Sequence, residues 1–113
     1  MPIDLMPCAV ILPVARLYDT NMTTAEAYEA TRGYWTIGAE KRDSLQFAVA
    51  AYQGHVQEVY RIKRWVAAPP EHRGKWAFIG TVAEPEIRDR YVGQSLANYR
   101  NQLAFGSRVY TPC

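Results

Sequence analysis

The sequence predicts an α+β fold, with about five strands in a mixed or mostly antiparallel sheet, curved or rolled into a small pseudo-barrel, and two to three short helices packed on it. Three observations lead to that fold. Two apolar runs lack polar interruption, Cys8 to Leu12 and Phe47 to Tyr52, as expected of strands covered on both faces. A Gln53-Gly54 turn and a Pro-rich loop at 67–74 separate further β-favouring segments. Helix signals flank these strands, with Thr23 and Glu26 at one site and Pro85 with Gly93 at another.

In chain order, Cys8-Ala9-Val10-Ile11-Leu12 is the first strand, bounded by Pro7 and Pro13. Thr23 with Glu26 three places later forms a capping box, so a helix follows, with Ala27, Tyr28 and Thr31 near one face and Gly33 placed to stop it. Ala39 to Asp43 is a solvated charged turn or short helix. It leads into Phe47 to Tyr52, a central strand whose alanines also leave a helix open. Across the Gln53-Gly54 turn, Val56 to Trp65 alternates, with Val56, Tyr60 and Ile62 on a packed side and Gln57, Arg61 and Lys63 on a wet one. The paired prolines 69 and 70 remove ladder donors and force a loop. Lys75 to Val82 resumes as a strand, Pro85 starts a short helix closed by Gly93, 95–102 is a second short helix, and Arg108-Val109-Tyr110 is a terminal strand.

With 113 residues, this is a single domain, 1–113, able to bury roughly two-thirds of its unfolded surface without metal or disulfide staples. Thirteen Lys and Arg stand against eleven Asp and Glu, and a net charge of +2 does not by itself demand a polyanionic partner. Two cysteines, Cys8 and Cys113, read as reduced thiols; a bridge between them would require an oxidising compartment. The apolar run Ala9 to Val14 is preceded by Asp4 rather than by a base, and it is broken by proline and far short of a membrane span. The expectation is a cytoplasmic chain with no membrane association.

Charge becomes informative when it is localised. Between Tyr60 and Trp76, Arg61, Lys63, Arg64, Arg73 and Lys75 face a single acid, Glu71, and are interleaved with Tyr60, Trp65 and Trp76. Cations neutralise phosphates and aromatic rings stack bases, the two devices nucleic-acid binding uses. The same residues also read as a hairpin with a solvated side and core-anchoring indoles. A second group, Arg32 between Tyr28 and Tyr34-Trp35, can clamp a phosphate or, from a helix's last turn, cap carbonyls and pair with Glu29. The candidate ligand-binding residues are therefore Arg32, Trp35, Tyr60, Arg61, Arg64, Trp65, Arg73, Lys75 and Trp76. His55 and His72 lack metal-ligand spacing, and no nucleophile elbow, phosphate loop or zinc motif occurs, so no catalytic residue, metal or cofactor is assigned.

The stretches Glu29-Ala30-Thr31-Arg32-Gly33-Tyr34-Trp35, Phe47-Ala48-Val49 with Gly54, Glu58-Val59-Tyr60-Arg61-Ile62 with Trp65, Trp76-Ala77-Phe78-Ile79-Gly80 and Tyr91-Val92-Gly93-Gln94-Ser95 together resemble a group of small uncharacterised bacterial proteins. The layout, a Val- and Tyr-rich strand ending at Trp65 and then a Trp-Ala-Phe-Ile-Gly strand, is similar to PUA-like domains of the ASCH and EVE type. That resemblance implies a compact pseudo-barrel that binds RNA or modified bases in a cleft. The leading expectation is a non-catalytic binding module for nucleic acid or a modified nucleotide. One alternative is a protein-interaction module, such as a small bacterial or phage-encoded inhibitor or a homodimer. Another is a small nucleotide-acting enzyme using Glu58 near Arg61.

Overall fold

A computed structural model describes residues 8–14, 21–99, 103 and 108–111 of the chain. Five strands, β1 (Ala9–Pro13), β2 (Phe47–Tyr52), β3 (His55–Ala67), β4 (Trp76–Val82) and β5 (Val109–Tyr110), form one open mixed sheet in the order β4-β3-β2-β1-β5. Among the described residues three whole helices accompany it, α1 (Thr24–Arg32), α2 (Ala39–Ser44) and α3 (Pro85–Tyr91). The α+β expectation holds, and of its two sheet forms the open one is realised: β4 and β5 are edges, not partners.

The uninterrupted apolar runs have a simple cause. β1 and β2 pair in parallel at the middle of the sheet, Ala9 opposite Phe47 through Pro13 opposite Ala51. Their alternate residues feed two separate cores. Ala9, Ile11, Phe47, Val49 and Ala51 pack with Val56, Val59, Tyr91 and Leu96 on the face that Ile87 of α3 also covers. Val10, Leu12, Ala48 and Ala50 pack with Tyr60, Phe78, Ile37 and Leu45 on the opposite face, beneath Tyr28 of α1. A strand between two cores needs apolar residues at every position.

Local signals set the element ends. The Thr23 hydroxyl accepts from the Glu26 amide at 3.2 Å, and the Glu26 carboxylate accepts from the Thr23 amide at 2.9 Å, which completes the capping box. Gln53 and Gly54 both have positive φ, 51° and 78°, the backbone of a two-residue hairpin turn. Pro85 occupies the first turn of α3, and Gly93 at φ 90° follows its end. Gly33 ends α1 as expected, though not by a left-handed cap. Its backbone is extended, and a Cβ there would lie 2.7 Å from the Ala77 Cβ, so glycine is required by the approach of β4. Of the predicted helix at 95–102, a single 3-10 turn at Ala97–Tyr99 is present, and 100–102 lie outside the described residues.

The face assignment within β3 needs correction. Pairing with β2 shifts between Ala50 opposite Glu58 and Ala51 opposite Val56, so Gln57 is an extra residue. Val56 and Val59, three apart, consequently share the α3 face, whereas Tyr60 and Ile62 join the other core. A second irregularity at Lys63 brings Trp65 back to the same core as Ile62. Simple alternation therefore placed Val56 on the wrong side. Cys8 is disulfide-bonded rather than a reduced thiol, and Cys113 lies outside the described residues.

Candidate functional site

β3 is thirteen residues long but pairs with β2 only as far as Arg61, opposite Phe47. Beyond it, residues 62–67 pair within the sheet with β4 alone, while Trp35 bridges to the outer side of β4 at Trp76; this end of the hairpin, past the start of β2, forms an arm. A 3-10 turn at Pro70–His72 and a left-handed Gly74 at φ 82° close the arm. The Ala68 amide donates to the Lys75 carbonyl at 3.0 Å and the Lys75 amide to the His72 carbonyl at 3.1 Å. The nine residues expected on one ligand surface fall into three sets on this scaffold.

One set is packed. Tyr60 is fully buried, with its ring 5.5 Å from Tyr28 and 5.7 Å from Phe78, and so it is removed from any ligand surface. Trp65 sets its ring edgewise on Phe78 at 5.8 Å, and Trp35 donates its indole N–H to the Thr31 carbonyl at 2.8 Å. Both are half-buried against the α1-side core. Trp76 is bridged to Trp35 by two backbone hydrogen bonds, of 2.9 and 2.8 Å, and its ring is covered by the Arg42 guanidinium at 3.7 Å. The indoles serve as packing, because rings of this size contribute more by burial than solvent contact would give.

A second set is occupied. The Arg32 side chain donates from Nε to the Phe78 carbonyl at 3.1 Å, lies 5.8 Å from the Tyr28 ring and approaches Glu29 at 3.6 Å. The Gly80 amide donates to the Tyr28 hydroxyl at 3.0 Å. Together with the Trp35 bridge, these contacts satisfy outward groups of β4, the edge strand. Arg61 stacks over Phe47 at 4.7 Å and donates from both arms of its fork to Glu84, at 2.6 and 2.8 Å. That pair of hydrogen bonds raises the Arg61 pKa and holds the Glu84 carboxyl below its ordinary value. Glu58 is engaged by Arg88 in the same bidentate way, at 2.7 and 3.0 Å, and not by Arg61. A shallow depression of about 220 Å³ beside that pair is lined by Arg88, Asp89 and Val92.

The third set is open. Arg64, Arg73 and Lys75 are exposed on the arm, and so is Lys63, and none of the ion pairs among the described residues includes them. Three of their neighbours, Arg42, Tyr34 and His72, are missing from the nine candidate residues, although Tyr34 stands in the second sequence group. Arg42 reaches Trp76 from α2, 34 positions away in sequence, with nothing local to signal it. Tyr34 and His72 form a ring pair at 4.8 Å, and Tyr34 is 39% exposed. The flanking Arg32 and Trp35 were noticed, but what exposes Tyr34 is its place just before the bridge to Trp76, which only the fold supplies.

No helix among the described residues is long and apolar enough to cross a membrane. Comparison of the chain with protein-family models, with curated proteins and with solved structures finds no match.

Proposed function

We propose that the chain is a non-catalytic binding module that takes nucleic acid, or a phosphate-bearing nucleotide, on the β3–β4 arm. The observation that carries this reading is the set of exposed cations Lys63, Arg64, Arg73 and Lys75, which enter no ion pair among the described residues and lie on one hairpin end whose only acid is Glu71. A cation already held by a carboxylate, as Arg61 is, has less to offer a phosphate; among the described residues no carboxylate holds these four. The resemblance to PUA-like domains points the same way, to RNA or modified bases as ligands. Trp35, Trp65 and Trp76 have packing duties, so recognition through them is confined to their accessible edges.

Anisotropy of a fluorescein-labelled oligonucleotide, titrated with the protein across roughly 50 to 200 mM salt, tests the reading. Affinity falls as salt rises, and in the Arg73→Ala, Lys75→Ala double variant the slope of log affinity against log salt shrinks by about 1.4, about 0.7 for each lost phosphate contact. Salt-independent binding would sink the proposal. A protein-docking role needs contiguous apolar surface, and the exposed large apolar side chains among the described residues, Tyr34 and Val92, lie on separate elements. An enzyme built on Glu58 and Arg61 would need the two groups together, and each instead has its own partner. The cytoplasmic placement expected from the sequence stands against the disulfide at Cys8, which favours an oxidising compartment.

A further inference from the structure

We propose that the arm selects single-stranded over double-stranded nucleic acid, by seating an unpaired base against the Tyr34 ring; this rests on the phosphate-binding role of the arm proposed above.

Tyr34 stands out from the other aromatic side chains near the arm. Tyr60 is sealed in the core, Trp35 and Trp65 pack on it, and Trp76 lies under Arg42. Tyr34 alone of these keeps more than a third of its surface accessible, at 39%. Its ring is also held in place. The chain immediately after it is fixed by the Trp35 bridge to β4, and the His72 ring lies 4.8 Å away at 34°, a tilted stack that limits the ring's freedom. A pre-positioned exposed ring loses little conformational entropy when a base joins it.

Its surroundings supply the phosphate contacts. His72 is followed directly by Arg73, and Trp76, bonded to Trp35, is preceded by Lys75, so a cation that enters no ion pair among the described residues adjoins each chain segment that frames the ring. A base stacked on Tyr34 would carry its own phosphates toward those two side chains. In a duplex the base faces are already stacked on their neighbours and are inaccessible to a tyrosine; in a single strand they are free. The combination therefore recognises an unpaired nucleotide and is sequence-tolerant, because every base offers a π face.

The test compares three fluorescein-labelled ligands of equal length at one salt concentration: a single-stranded oligonucleotide, its duplex, and an abasic strand with the same phosphates. Wild-type protein binds the single strand tightest. Tyr34→Ala weakens single-strand binding roughly tenfold, leaves the salt slope and the duplex and abasic affinities unchanged, and Tyr34→Phe restores the single-strand affinity. Equal wild-type affinity for all three ligands overturns the stacking role while the phosphate-binding role survives, and this comparison needs no variant to fold. Loss of binding to every one of the three overturns both proposals. Arg73→Ala lowers the affinity for all three alike, which separates phosphate contact from stacking.

Discussion

Residues in this chain acquire their roles from distant partners more than from sequence neighbours. Arg42 belongs to a helix in which no residue is buried, yet its guanidinium covers the Trp76 ring and also donates to the Ile37 carbonyl. Arg42→Ala is expected to cost about 1–2 kcal/mol, read as a shift in the urea midpoint, and to red-shift tryptophan emission as Trp76 gains water. Gly80 is more stringent still, because a Cβ there would run into the Arg61 carbonyl of the neighbouring strand. Gly80→Ala therefore destabilises by roughly 1–3 kcal/mol or more through forced backbone displacement, in the same urea assay. The Arg61–Glu84 pair has a pH signature whose sign is set by its cause. Hydrogen bonding to Arg61 lowers the Glu84 pKa in the folded state, so its contribution is complete above the unfolded carboxylate value and is lost as pH falls through the folded value. Glu84→Gln should thus lower Tm slightly at pH 7, and the difference from wild type should shrink progressively as pH falls below the unfolded carboxylate value of about 4.3. A difference that persisted unchanged into acid would assign the effect to packing. None of these roles was legible in the sequence, because each depends on a contact separated by 19 to 34 positions that no periodicity encodes.

Elements were far more legible than residues. The Thr23 capping box, the Gln53-Gly54 turn, the Pro85 start of α3 and the two continuous apolar strands are each local rules that the fold obeys. Thr23→Ala removes a side-chain acceptor from the Glu26 amide and should cost about 1 kcal/mol of stability, measured by thermal unfolding. What escaped was β3, where an extra residue at Gln57 and another irregularity at Lys63 reset the inward side twice within thirteen residues. A bulge leaves no compositional mark in a strand whose residues on both faces are packed, so the alternation rule assigned Val56 and Tyr60 to one side. The error propagated into the candidate site. Tyr60 was placed as a ligand contact beside Arg61 when it fills the core, while Arg61, its immediate neighbour, turns to Phe47 and Glu84. Arg64, Arg73 and Lys75 are exposed as expected, Arg64 just past the last irregularity of β3 and Arg73 and Lys75 in the loop that closes the hairpin.

At the scale of the molecule, the termini of the described sheet are joined through one strand. β5 is only two residues long and pairs with β1 at Val10 and Ile11, too little to hold an edge by itself. Thr111 reinforces it: its amide donates to the Ala9 carbonyl at 2.9 Å and its buried hydroxyl accepts from the Ala9 amide at 2.9 Å. Cys8, the residue before Ala9, is disulfide-bonded and also anchors β2, its carbonyl accepting from the Gln46 and Phe47 amides at 2.7 and 3.1 Å. The first strand of the central parallel pair is therefore fixed at its start by a covalent link as well as by hydrogen bonds on both sides. Because a disulfide stabilises chiefly by restricting the unfolded chain, its removal should lower stability by about 2–4 kcal/mol without changing the native contacts. Thermal unfolding monitored by far-UV dichroism, with and without dithiothreitol, then shows a lower Tm in reductant and an unchanged native spectrum. Cys8→Ser reproduces that lower Tm and abolishes the response to reductant. An identical Tm in both conditions would mean that the thiols are reduced in the working protein, and it would return the chain to the reducing compartment that its low cysteine content first indicated.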